Sequence, residues 1–306
     1  MVANHDLKGR GVRVPPALSL VNIEVWAKDF GDKLAIRSVS QHRACSTCCR
    51  YKLLIKKLSN DRYAKAVQVR HYGRHLDSQY ADRVRYWRAR ACSRLPATTA
   101  GTRQLCCIMD GMDRSKFKFP RSQALQASKT FGNFSRPTLD TYGLIAHGEL
   151  ALLAQSLPMV AKDSNFCCDV LAFVMHHLIE CGRLEGRATE LIIQSDNTCR
   201  EVKNNSVLRQ LGLWTALQKV SRAELRMLRS GHSHEDVDAW FGQLSYWLQA
   251  QTELHVPADF TKSLSNFMEK DGARPHESRK LSIAVNRVRD WRLDSARSFL
   301  CASHVF

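Results

Sequence analysis

The sequence predicts an α/β protein: a mixed sheet with strands and helices in the order βββαβαβα, preceded by a basic and mostly helical segment. Two observations lead there. Short apolar runs free of Gly and Pro, such as Leu191-Ile192-Ile193-Gln194-Ser195, read as buried strands, and longer stretches with helical apolar spacing alternate with them. Acidic residues also stand at element ends, where open α/β sheets expose side chains: Asp110 after Leu105–Met109, Asp196 after Ser195, and Glu235-Asp236-Val237-Asp238 at the head of a helix.

In chain order, residues 1–40 hold Gly9, Gly11, Pro15 and Pro16 among mixed charges and predict little; they are expected to continue something longer upstream. Residues 41–96 form the basic segment. From Gln41 to Arg94 fourteen Lys and Arg face only Asp61, Asp77 and Asp82, which supplies +11 of the formal +17. A helix is expected from about Asn60 to Arg90, with His71 and His75 four apart on one face. Together with Cys45-Ser46-Thr47-Cys48 they have the residue types and local spacings of a tetrahedral Zn²⁺ site. The plainer reading, surface thiols beside a basic helix, stays open. Tyr63, Tyr72, Tyr80, Tyr86 and Trp87 interleave with the arginines, a mixture that suits phosphate contact and base stacking and equally suits an ordinary core face.

Residues 97–102 read as a linker, and residues 103–252 as the sheet domain. Strands are expected near 104–109, 141–146, 150–154, 191–195 and 224–228, and helices near 166–181, 204–220 and 234–250. Residues 253–306 are expected to be a helical extension, cut short. In the last helix of the sheet domain Val237, Phe241, Leu244 and Leu248 make the buried stripe, and Asp236 and Asp238 flank it at nearly equal angles. Periodicity leaves both acids open as site residues.

A pI near 9.6 implies a polyanionic partner, most simply nucleic acid. There is no basic amphipathic or lipidated segment, no apolar run of about 18 residues and no signal-like N-terminus, so no membrane partner is expected and the protein should be soluble and intracellular. The eleven cysteines include the adjacent pairs Cys48-Cys49, Cys106-Cys107 and Cys167-Cys168, a pattern of reduced thiols and not of a secreted disulfide scaffold.

The order of elements and acids resembles the ribonuclease H-like fold of DDE transposases and retroviral-type integrases. More closely, the blocks Cys45-x2-Cys48, His75-x3-Gln79-x3-Arg83-x2-Tyr86, Asp110-Gly111-Met112-Asp113, Asp196-Asn197-x2-Arg200-Glu201-x-Lys203-Asn204 and Gly231-His232-Ser233-His234-Glu235-Asp236-Val237-Asp238 resemble a family of mobile-element-derived eukaryotic proteins. The likeness covers about residues 38–250 and continues weakly to Arg289-Asp290-Trp291; Val202 stands where that family usually has Asn.

The resemblance implies a nuclease that cuts and joins DNA phosphodiesters with two Mg²⁺ or Mn²⁺ ions held by Asp110, Asp196 and, favoured over Asp236, Asp238. It also implies duplex DNA as partner and a nuclear location, and allows a homo-oligomer. His234, one turn before Asp238, is expected to orient that carboxylate or touch a phosphate. Arg200, Lys203, Arg114 and Lys116 are expected to hold the scissile strand, a solvated basic loop being the plainer alternative, and Glu201 to favour a helix N-terminus over serving as a fourth ligand. Two other readings stay beside this one: an inactive nucleic-acid-binding descendant, and a zinc-dependent adaptor.

Overall fold

The computed structural model describes residues 45–95, 102–112, 119–124, 128–133, 139–157, 159–184, 189–196, 198, 200–228, 235–270, 277, 279–285 and 287–291, and the backbone of residues 12–14 and 34–36. The chain divides into two units, residues 1–81 and 82–306.

In the first unit β1 (Val12–Val14) and β2 (Leu34–Ile36) form a parallel pair with Val12 opposite Leu34. Helix α1 (Ser46–Lys57) follows, then α2 (Arg62–Ser93), whose residues up to Ala81 belong to this unit and whose remainder belongs to the second. Helix α1 begins at the cysteines: Cys45 is its N-cap and Cys48 lies in its first turn, so the three-residue spacing is a helical one.

The second unit adds β3 (Arg103–Gly111), the single turn α3 (Lys129–Gly132), β4 (Asp140–Ala146), β5 (Leu150–Ser156), α4 (Ser164–Glu180), β6 (Thr189–Ser195), α5 (Asn205–Ala216), β7 (Arg222–Met227), α6 (Asp236–Gln249), α7 (Pro257–Glu269) and β8 (Arg279–Val285). The strands make one mixed six-stranded sheet in the order β7-β6-β3-β4-β5-β8. Strands β3, β4 and β5 are an antiparallel meander. Its second turn is His147-Gly148-Glu149, where Gly148 takes φ 84°, a left-handed backbone angle that disfavours a Cβ. Strands β6 and β7 extend the sheet in parallel beyond β3.

The expected helical extension at 253–306 holds α7, and strand β8 corrects the part beyond it. Leu281 and Ile283 alternate with polar residues, and Leu150 to Ser156 of β5 pair with Arg279 to Val285 in parallel. The alternation is only partly buried, so it carries a weak strand signal until an edge is there to receive it.

Helices cover both faces, which is why every residue of β4 and β5 is buried. One core joins Leu105, Cys107 and Met109 of β3 to Phe166, Leu171 and Leu178 of α4 and to Val207 and Trp214 of α5. The other joins Cys106 and Ile108 to Val237, Trp240 and Phe241 of α6, to Phe260 and Leu264 of α7, and to Tyr86 and Ala89 of α2. Side-chain caps set the starts of α4 and α5: the Asp163 carboxylate accepts from the amides of Asn165 and Phe166, and the Asn204 side chain accepts from those of Ser206 and Val207. Among the described residues no helix is long and apolar enough to cross a membrane.

Candidate functional site

Strands β3 and β6 are parallel neighbours, with Met109 opposite Ser195, so Asp110 and the next residue past β6, Asp196, stand side by side at their carboxyl ends. Alternation settles the face. Cys106 and Ile108 lie in the core beneath α6, as does Ile192, and Asp110 and Asp196 continue those two series. Across the sheet from Asp110 is Gly143 of β4. A Cβ there would meet the Phe241 ring at 2.9 Å and the Trp240 ring at 3.3 Å, so the missing side chain is what lets α6 lie this close, one turn after Asp238.

The Asp110 carboxylate accepts from the Gly111 amide at 2.7 Å. Burial pushes this carboxyl up to about 7; the Gly111 amide opposes the shift, the Asp238 and Asp196 carboxylates add to it, and the Lys162 ammonium pulls the other way. Three acids therefore share one field. They do not form a tight ligand set: among the described residues, the group of His, Cys, Asp or Glu donors lying within 4.8 Å of one another is Cys45, Cys48 and His75. One physical reason is that Asp238 is turned back on its own helix, where its Oδ2 accepts from the Glu235 amide at 3.1 Å.

Asp236 is occupied differently. Its carboxylate accepts from Arg90 Nη1 at 2.7 Å and from the Tyr86 hydroxyl at 2.7 Å, with His147 Nε2 at 3.7 Å. Burial acts to raise its pKa, but the Arg90 and Tyr86 hydrogen bonds outweigh it and hold the carboxyl below its usual value. Beside it Glu235 pairs with Arg83 at 3.0 Å and accepts from the Trp87 indole at 3.2 Å. Arg83, Tyr86, Trp87 and Arg90 share one face of α2, and that face clamps the head of α6.

Of the two readings of the Arg-aromatic mixture, this end of α2 takes the core face: Tyr86 is buried, and Arg83 and Arg90 are spent on carboxylates. Arg90→Ala should cost about 1.5–3 kcal/mol, the range for hydrogen bonds to charged groups. Chemical denaturation of Arg90→Ala, Asp236→Ala and the double variant checks it; a coupling energy near zero would count against the clamp.

In the loop after β6, Arg200 and Lys203 are exposed. Val202, where the resembled family usually has Asn, is buried in the core beneath α4 and α5. Glu201 precedes the Asn204 cap of α5 and pairs with Lys162 at 3.4 Å, which corrects its expected part as a helix-terminal acid. His234, Arg114 and Lys116 lie outside the described residues.

Sequence reasoning missed Lys162, His147 and Glu277. Each is remote in sequence from its partners, and only Lys162, just before the Asp163 cap, offered any local signal.

In the first unit, Cys45 Sγ and Cys48 Sγ lie 3.6 and 3.2 Å from His75 Nε2. Burial acts to raise the Cys45 thiol, but the amides of Cys48 and Thr47 in the first turn of α1 outweigh it and leave the thiol below its usual value. Burial, then the neighbouring Cys45, push Cys48 up to about 11. Two sulfurs and an imidazole so placed can bind a metal ion such as Zn²⁺. His71 is a correction: it is exposed and stands outside this group, because, though on the same face, it lies about 5.4 Å along α2 from His75, one helical turn away from where the two sulfurs sit.

The fold and sites define an α/β protein with an acidic cluster at the carboxyl ends of a mixed sheet and a Cys-Cys-His group able to take a metal. Residues 134–297, more than half of the chain, match the family described as "Domain of unknown function (DUF7869)", and the chain belongs to that family. The match includes Asp196, Asp236 and Asp238; Asp110 and the Cys-Cys-His group precede it. No curated protein and no solved structure matches.

Proposed function

We propose that this chain is a nuclease of DDE transposase type, with a ribonuclease H-like fold and a mobile-element origin, that cuts and joins the phosphodiesters of duplex DNA in the nucleus. The observation that carries the reading is the in-register pair Asp110 and Asp196 on parallel neighbouring strands, with Asp238 and Asp196 adding to the raised Asp110 pKa. The strand order supports it as well: a meander extended beyond its first strand by two later parallel strands is what the ribonuclease H-like resemblance leads one to expect, and β8 is an addition at the far edge.

The donor set fits hard divalent cations. Crowded carboxylates, one of them raised to about 7, carry negative charge that Mg²⁺ or Mn²⁺ would offset through oxygen ligands. Asp110, Asp196 and Asp238 would hold the ions, and a two-ion site supplies an activated oxygen nucleophile and a stabilised leaving oxygen. Asp238 has to exchange its bond to the Glu235 amide for that task. Arg200 and Lys203 hold the strand at the rim through phosphate contacts.

A second reading, a nucleic-acid-binding or zinc-dependent adaptor without nuclease chemistry, is favoured by the same comparison of donors: the Cys45, Cys48 and His75 atoms converge and the three carboxylates do not. Relaxation of supercoiled plasmid in Mg²⁺ or Mn²⁺ decides between them. The wild-type protein is expected to nick the plasmid and Asp196→Ala to fall to background. Zinc-loaded protein that binds duplex without nicking it would favour the second reading.

A further inference from the structure

Lys162 stands just before the Asp163 cap of α4, at the helix end where the macrodipole favours anions, so helix stability does not account for a cation there. Its side chain is only 11% exposed, and withdrawing an ammonium from water that far is costly. Three neighbours at the carboxyl end of β3, on the α4 side of the sheet, receive it. Glu201, from the loop after Asp196, lies 3.4 Å away; the Tyr142 ring centroid lies 5.5 Å away; and Gly111 leaves it room beside Asp110, since a Cβ on Gly111 would fall 1.8 Å from Nζ. The Glu201 contact is longer than the roughly 2.7–2.9 Å of a charge-assisted hydrogen bond. Ion pair and ring together orient the ammonium, which has three donors to offer.

Resting on the reading that a nucleic-acid strand enters the Asp110–Asp196 crevice, we propose that Lys162 is a phosphate-contacting residue of that site. Its ammonium takes a non-bridging phosphate oxygen of the strand, Glu201 positions it, and Gly111 keeps its path open. A fixed cation at the rim also eases the approach of a polyanion to three carboxylates, and it already lowers the Asp110 pKa.

The test is fluorescence anisotropy of a labelled DNA duplex with the full chain in Ca²⁺, at stepped KCl, for wild type, Lys162→Met, Lys162→Arg and Gly111→Ala. Lys162→Met should lose about tenfold in affinity, as for one charged hydrogen bond. Its slope of log affinity against log salt should shrink by about 0.9, the value for one phosphate contact on B-form DNA. Lys162→Arg should keep both. Gly111→Ala retains the lysine but displaces its ammonium, so it should behave like Lys162→Met, and it decides the matter should Lys162→Met fail to fold.

Wild-type affinity and slope in both Lys162→Met and Gly111→Ala would overturn the assignment while leaving the nuclease reading to the plasmid assay. A wild-type protein that does not bind the duplex at all would overturn both.

Discussion

Asp110→Asn is expected to stabilise the metal-free protein above neutral pH and to abolish its stabilisation by Mg²⁺ or Mn²⁺. In the folded state the Asp110 carboxyl is raised from 3.8 to about 7, by burial first and then by Asp238 and Asp196 against the pull of Lys162. Its favourable contribution is therefore fully present below the unfolded value and lost as pH rises through the folded one. Between those two pH values the unfolded chain gives up a proton that the native state keeps, so stability falls across that window and levels off above it. At about 1.4 kcal/mol for each pH step of one within that window, the loss is on the order of 4 kcal/mol at pH 8.

The amide substitution removes the charge and so should recover much of that in EDTA. Divalent ions do the same for wild type by binding the ionised acids, worth about 2.7 kcal/mol at a hundredfold excess over Kd. Thermal melts at pH 5 and pH 8, with EDTA or Mn²⁺, check both halves. An Asp110→Asn protein less stable than wild type in EDTA at pH 8, or one still shifted by Mn²⁺ as wild type is, would sink the shared-field account.

The second large effect concerns the first unit. Purified protein should carry about one zinc per chain, and Cys48→Ser or His75→Ala should lower that content, whereas His71→Ala should not. Chelation should cost helix signal at 222 nm, because the metal would link the start of α1 to α2 and the free energy of structural zinc binding, about 10–16 kcal/mol in zinc-finger peptides, is folding free energy. Zinc ligands must be deprotonated, and Cys48 is pushed up to about 11 without metal, so binding releases protons and the apparent affinity falls as pH is lowered. Zinc-free protein with both helices intact would refute the site.

Local pattern alone determined a good deal. Apolar runs and turn residues are properties of a few neighbouring side chains, so β3, β4, β5, β6 and β7 and the helices between them were legible, as was the stripe Val237, Phe241, Leu244 and Leu248. The basic balance was likewise a matter of counting. The mixed α/β sheet follows from the order of those elements, because a strand-helix-strand connection favours parallel neighbours and short turns favour antiparallel ones.

Tertiary structure decided what depends on partners far away in sequence. Asp236 and Asp238 have nearly equal angles on α6, and it is Arg90 and Tyr86, some 146 and 150 residues earlier, that occupy Asp236, while Asp238 joins the field of Asp110. His71 and His75 share a helix face by spacing, but the two sulfurs at the start of α1 meet only His75. Strand β8 has a modest alternation of its own and becomes a strand because the edge of β5 offers unpaired backbone groups to satisfy it. Lys162 has only its place before the Asp163 cap to mark it in sequence, and it is the approach of Gly111, Tyr142 and Glu201 that makes its burial tolerable. Spacing along a helix or strand says which way a side chain points, whereas the charge or edge that meets it is set by how the elements pack.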